Sequence, residues 1–125
     1  INKNLNYLLK NDFYAFKNKS SLIAMTGHLL FNKIDPEYNV TYSKKINKLI
    51  RNNIGFKNLI ITDDLSMKAL KETLSQRVKM SFIGGCNLVL HCNGNIREME
   101  IVAKNSPKIN KFILKKTSQL NEIMR

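Results

Sequence analysis

The sequence predicts an α/β fold built on parallel strands, and three observations predict it. Short apolar runs near 22–26, 58–62 and 87–91 recur at roughly the spacing of a βαβ unit. Each run is apolar at consecutive positions rather than alternate ones, as in a strand with both faces covered. Stretches with helical spacing of apolar residues fill the intervals between them.

The elements follow in order. Residues 4–10 read as a short helix carrying Leu5, Leu8 and Leu9. The run Leu22-Ile23-Ala24-Met25-Thr26 is the first strand, with Gly27-His28 at its end. A loop containing Pro36 occupies 32–42. Ser43 is placed as an N-cap, before a helix whose Ile46, Leu49 and Ile50 share one face. Gly55 stops that helix, because glycine enters the left-handed C′ conformation without a Cβ clash. Leu59-Ile60-Ile61 forms the second strand. The next helix is expected from Met67 or Glu72, with Leu70, Leu74, Val78 and Phe82 at four-residue spacing and Gly84-Gly85 as its stop. Leu88-Val89-Leu90 is the third strand, running into His91-Cys92-Asn93-Gly94. Ser106-Pro107 is a helix start signal, for a last helix with Ile109, Phe112, Ile113, Leu120 and Ile123.

At 125 residues the chain is one domain by size. A closed (β/α)8 barrel needs eight strands and typically about 250 residues; an open three-layer α/β domain is the physical alternative. No stretch reaches the roughly 18 apolar residues of a membrane span, so no membrane partner is expected. Residues 1–12 are polar and interrupted, unlike a signal peptide. The net charge of +12 suggests a small basic binding module for nucleic acid or a protein partner. Against this, lysines are scattered along the chain, and arginine, the usual reader of base edges, occurs only at 51, 77, 97 and 125. No specific nucleic-acid partner is expected. Cys86 and Cys92 lack the C-x-x-C spacing of redox or zinc sites, and reduced thiols in a cytoplasmic protein are the expectation.

Carboxylates at the end of the second strand mark the candidate site. Asp63 directly follows Ile60-Ile61-Thr62, at the strand end where loops and substrate meet in α/β proteins. Three uses fit it: a nucleophile toward a sugar anomeric carbon, a metal ligand, or an N-cap of the following helix. Asp64 suits the capping role better, being one residue nearer the helix. His28 and His91 each follow an apolar run, so a barrel would bring both to the mouth that holds Asp63. Imidazoles there serve as positioning, sugar-binding or acid/base groups, or simply as structural residues. His28, Asp63 and His91 could also be read as a metal cluster, although the three arise from separate strands. No glycine-rich phosphate loop is present, and neither a cofactor nor a metal is expected.

Three segments carry a resemblance to a known family. Gly55-Phe56, then Leu59-Ile60-Ile61-Thr62-Asp63-Asp64-Leu65-Ser66-Met67, resembles the active-site signature of family 3 glycoside hydrolases, in particular bacterial β-N-acetylhexosaminidases. Ala24-Met25-Thr26-Gly27-His28 is similar to the M-T-A-H strand end of those enzymes, with glycine for alanine. Gly85-Cys86-Asn87-Leu88-Val89-Leu90 resembles the A-G-C-D strand, with Asn87 for aspartate; Asn58 replaces a glycine. The resemblance implies a partial (β/α)8 TIM barrel of about three C-terminal βα units over 1–125, truncated upstream. It implies Asp63 as nucleophile, His28 and Met67 as substrate-binding or positioning groups, and Asp64 and His91 as neighbours at the barrel mouth. The implied substrate is a carbohydrate, a terminal N-acetylglucosaminide of cell-wall muropeptides. The family's K-H-F-P-G-H-G segment and the loop bearing its Asp/His acid/base pair are absent here. The chain is therefore expected to be inactive alone, with a separately encoded upstream half of the barrel as a candidate partner.

Overall fold

The computed structural model describes all of residues 1–125. It contains α1 (Leu5–Lys10), β1 (Ile23–Thr26), α2 (Lys44–Leu49), β2 (Leu59–Asp64), α3 (Leu74–Gly84), β3 (Leu88–Leu90), α4 (Ile96–Asn105) and α5 (Lys111–Ile123). The strands form one parallel sheet in the order β1-β2-β3. Because α2 touches α3 and α3 touches α4, these helices line one side of the sheet in succession. That is the arrangement of an arc of a (β/α) barrel, not of a three-layer sandwich.

Most boundaries follow local chemistry. The Ser43 side chain accepts from the Ile46 amide and caps α2. The helix then widens into a π turn over Ile50–Ile54 and ends at Gly55, whose φ of 84° is the left-handed conformation expected there. Gly84 closes α3 and is required for a second reason: a Cβ on it would lie 2.7 Å from the Thr41 and Tyr42 backbone.

The third helix corrects the sequence expectation. It starts neither at Met67 nor at Glu72 but at Leu74, capped by Thr73 in a reciprocal box with Gln76. Leu70 belongs to the preceding loop and is buried there, in a cluster with Tyr42, Leu65 and Val78. The C-terminal region is also corrected. An additional helix, α4, occupies Ile96–Asn105; Ser106 ends it and does not begin the next, and Asn110 caps α5. A cap-proline pair reads identically on either side of a helix junction, and the tight α4 contact with α3 decides the matter.

Along the strands, alternate residues face opposite ways. Ala24 and Ile60 face the helices, in a cluster with Phe56, Cys86 and Ile50. On β1 the opposite face is open: Ile23 is 37% and Met25 57% exposed. The expectation that every strand is covered on both faces therefore fails at β1, which also has no strand on its outer edge. Beside that edge lies an apolar cavity of about 230 Å³, lined by Ala24, Met25, Phe13, Phe31, Leu49 and Phe56 among others.

Candidate active site

β2 does not stop before the carboxylates; both Asp63 and Asp64 belong to it. The pairing with β3 steps from Ile61 opposite Leu88 to Asp64 opposite Leu90, three residues against two. This is a bulge, uncommon between parallel strands and frequent beside functional sites, where it re-aims side chains. Thr62 makes it tolerable. Its hydroxyl accepts from the Leu90 amide at 3.0 Å, and the ladder resumes with Leu65 N–H on the Leu90 carbonyl at 2.9 Å.

The two carboxylates have different surroundings. The Asp63 Oδ1 accepts from the Asp64 amide at 2.8 Å, and no cation pairs with it. Asp64 is tied down at both oxygens: Oδ1 accepts from the amides of Ser66 (2.9 Å) and Cys92 (3.1 Å), Oδ2 from the Ser66 hydroxyl (2.5 Å). Burial pushes the Asp64 carboxyl up, but the Ser66 and Cys92 hydrogen bonds and the nearby His91 outweigh it and hold the group below the usual carboxylate range. Neither aspartate caps α3, since Thr73 does. The capping role is thereby removed for both. Asp64 instead joins the ends of β2 and β3 through Cys92.

His28, two residues beyond β1, reaches across to β2. Its Nε2 lies 3.1 Å from the Asp64 carbonyl, and its Nδ1 lies 2.8 Å from the Thr41 hydroxyl. A carbonyl can only accept, so Nε2 carries the hydrogen, and Nδ1 of the neutral ring accepts from Thr41. Thr41 is buried and within 3.3 Å of Thr26 Oγ1. The ring thus spends both nitrogens on the scaffold.

His91 opens the turn after β3. Its side chain is 4% exposed, with Nε2 2.8 Å from Glu98 Oε2. Asn93 donates to the same oxygen at 2.6 Å. These hydrogen bonds, from His91 first, hold the Glu98 carboxyl below its ordinary value. The Nδ1 of His91 is buried and has no hydrogen-bond partner. Met67 is exposed, in the loop after β2, with its amide on the Asp64 carbonyl.

His28 and His91 therefore both border the Asp64 end of β2, as their positions in the sequence suggest. No group of three His, Cys, Asp or Glu side chains is placed to hold a metal ion. Cys86 is buried and its thiol is pushed up to about 11 by that burial, while Cys92 is exposed. No helix is long and apolar enough to cross a membrane.

Thr41, Glu98 and Arg77 are missed by sequence reasoning. Thr41 and Glu98 are distant in sequence from the histidines they hold, and their residue types are unremarkable. Arg77 binds backbone carbonyls, which leave no trace in a sequence.

Comparison with known proteins accords with this geometry. The family described as "Glycosyl hydrolase family 3 N terminal domain" matches residues 3–119. A β-hexosaminidase of Nitrosomonas eutropha is 35% identical over 71 residues, 55% of this chain and 20% of that protein. One of Neisseria meningitidis is 29% identical over 83 residues, 65% of this chain and 23% of that protein. The chain thus spans roughly a fifth to a quarter of these relatives. Native NagZ from Neisseria gonorrhoeae superposes with a TM-score of 0.75 at 23% identity, over 93% of this chain and 34% of that one. The β-N-acetylglucosaminidase from Thermotoga maritima gives 0.71 at 22% identity, over 84% of this chain and 24% of that one.

Proposed function

The chain belongs to glycosyl hydrolase family 3, and from that premise we propose that it supplies the nucleophile of a retaining β-N-acetylhexosaminidase. The observation that carries this is the position of Asp63. It is the last residue but one of the central parallel strand, within the bulge, with a carboxylate engaged only by the next amide. In the proposed reaction that carboxylate attacks the anomeric carbon of a terminal β-linked N-acetylglucosamine. The bond from C1 to Asp63 forms as the glycosidic C–O bond breaks, and the leaving oxygen takes a proton from a general acid. Water, deprotonated by the same acid/base group, then attacks C1 and releases Asp63 and the sugar with retained configuration. Two further assignments accompany this one. His28 positions the strand end through the Asp64 carbonyl, and exposed Met67 contacts the sugar; Asp64 and His91 border the mouth.

In this reading residues 1–125 are the last three βα units of the barrel, and the general acid lies on a loop contributed from elsewhere. General acid–base help is typically worth about 10²–10⁴-fold, so the chain alone is expected to be inactive. The open edge of β1, with its exposed Met25 and adjacent apolar cavity, supports a junction with a preceding strand there. That strand belongs either to a longer form of this polypeptide or to a separately encoded half. The substrate class is cell-wall muropeptide and the site of action the cytoplasm.

A chromogenic β-N-acetylglucosaminide, offered to this chain alone and mixed with the upstream part of the barrel, tests the proposal. Turnover only in the mixture, abolished by Asp63→Asn, is the expected result. Turnover by the chain alone would overturn the inactivity, and an adduct trapped on any residue but Asp63 would overturn the nucleophile.

A further inference from the structure

We propose that Arg77 is a positioning residue for the strand end that carries Asp63; its catalytic meaning rests on the function proposed above, its mechanics on geometry alone. Arg77 lies in the first turn of α3 and points back along the loop 65–72. Its Nε donates to the Glu72 carbonyl at 2.8 Å, Nη1 to Leu65 at 2.6 Å and to Met67 at 3.4 Å, and Nη2 to Leu70 at 2.7 Å. All four acceptors are carbonyls of the one segment joining the candidate nucleophile to α3. That segment has no helix or strand of its own, and its internal backbone bonds are few: Met67 N–H to Asp64 and Leu70 N–H to Met67, each at 3.2 Å. A buried carbonyl left without a donor costs about 1–3 kcal/mol. Four carbonyls spread from Leu65 to Glu72 match the five donors of a rigid guanidinium fork, and exceed the three that one ammonium carries at a single point.

The link to Asp63 is short. Asp63 has a single side-chain hydrogen bond, to the Asp64 amide, so the backbone that follows sets where its carboxylate points. Asp64 is held at its carbonyl by His28 and at its carboxylate by Ser66 and Cys92. Leu65 is held at its amide by the Leu90 carbonyl and at its carbonyl by Arg77. Arg77 thus completes a run of fixed backbone groups that starts one residue after Asp63, and it also sets the course of the loop bearing Met67.

Hydrogen exchange of the 125-residue chain with Arg77→Lys, which keeps the charge and loses the fork, tests the clamp. Amides of residues 66–73 are expected to exchange about tenfold or more faster, while β1, β3 and α5 keep their protection. Millimolar guanidinium added to Arg77→Ala should slow them again. Native exchange in Arg77→Lys, or a uniform rise over the whole chain, overturns the proposal. Should neither variant fold, through-bond couplings from the Arg77 guanidinium nitrogens to the Leu65 and Leu70 carbonyls in the wild type decide it, their absence overturning it. In the complemented enzyme, Arg77→Lys is expected to lower kcat about tenfold at nearly constant KM. An unchanged kcat with a loosened loop overturns the positioning role. A wild-type mixture without any turnover counts against the proposed function and leaves the exchange result to decide on Arg77.

Discussion

His28 donates through Nε2 to the backbone carbonyl of Asp64 at 3.1 Å, so the imidazole grips the main chain beside the candidate nucleophile rather than either carboxylate. With Thr41 on its other nitrogen, His28 ties β1, the segment before α2 and the end of β2 into one corner. Replacing it by alanine removes two hydrogen bonds, leaving the Asp64 carbonyl only the Met67 amide and the buried Thr41 hydroxyl only Thr26. His28→Ala is expected to lose about 1–3 kcal/mol in urea denaturation. A loss below about 0.5 kcal/mol, the range of an ordinary surface substitution, would show that water replaces the ring at no cost.

Asp63 and Asp64 should separate cleanly by mutation. Asp63→Asn keeps an oxygen for the Asp64 amide and is expected to change stability by less than about 0.5 kcal/mol while abolishing turnover in the complemented enzyme. Asp64→Asn replaces one of two engaged oxygens with a donor that faces either amide N–H groups or the Ser66 hydroxyl. Its expected cost is about 1–3 kcal/mol, read as a lower melting midpoint. The reverse ranking would mean that Asp63 is the structural member of the pair.

Acid should destabilise the fold through Asp35 and Asp64. Burial pushes the Asp35 carboxyl up, but the Ser43 hydroxyl, the Tyr38 and Glu37 amides and Lys45 outweigh it, and it titrates below the usual range. Asp64 behaves alike. A folded-state value below the unfolded one gives stability that is complete above the unfolded value, about 3.9 for aspartate, and is lost as pH falls through the folded value. Unfolding free energy should therefore be level in this contribution above about pH 5 and fall below about pH 4. The fall should be shallower in the Asp35→Asn, Asp64→Asn double variant; an equally steep fall would place the acid sensitivity in other groups.

At the opposite end of the strands, Arg51 Nη2 donates to Asn87 Oδ1 at 2.8 Å, and the Ile60 amide donates to the same oxygen at 2.9 Å. Arg51 also binds the Phe56 and Asn58 carbonyls, and burial lowers its pKa. Asn87→Asp keeps both contacts and supplies a charge to the half-buried guanidinium. It is expected to add about 1 kcal/mol, measured by thermal or urea unfolding. A destabilised variant would show that desolvation of the new carboxylate outweighs the pairing.

Much of the architecture was legible locally. The strands at 22–26, 58–62 and 87–91, the Ser43 cap and the Gly55 and Gly85 stops follow from apolar runs, a hydroxyl and conformational freedom, all properties of a few adjacent residues. The start of α3 was not, because Leu70 fits the helical spacing yet is buried from within a loop whose carbonyls are satisfied by Arg77. Nor was the junction at Ser106, where the same cap-proline pair closes one helix instead of opening another.

The candidate site divides along the same line. The sequence by itself determined that two carboxylates and two histidines stand at strand ends, since that needs only an apolar run and what comes next. The tertiary structure alone decided what each does there: a bulge held by Thr62, Asp64 bridging to the Cys92 amide, His28 on the Asp64 carbonyl and His91 on Glu98. These partners lie 7 to 36 residues apart or are main-chain atoms. Hydrogen bonds to the backbone do not depend on the identity of the residue that offers them, so no pattern of side chains could have announced them.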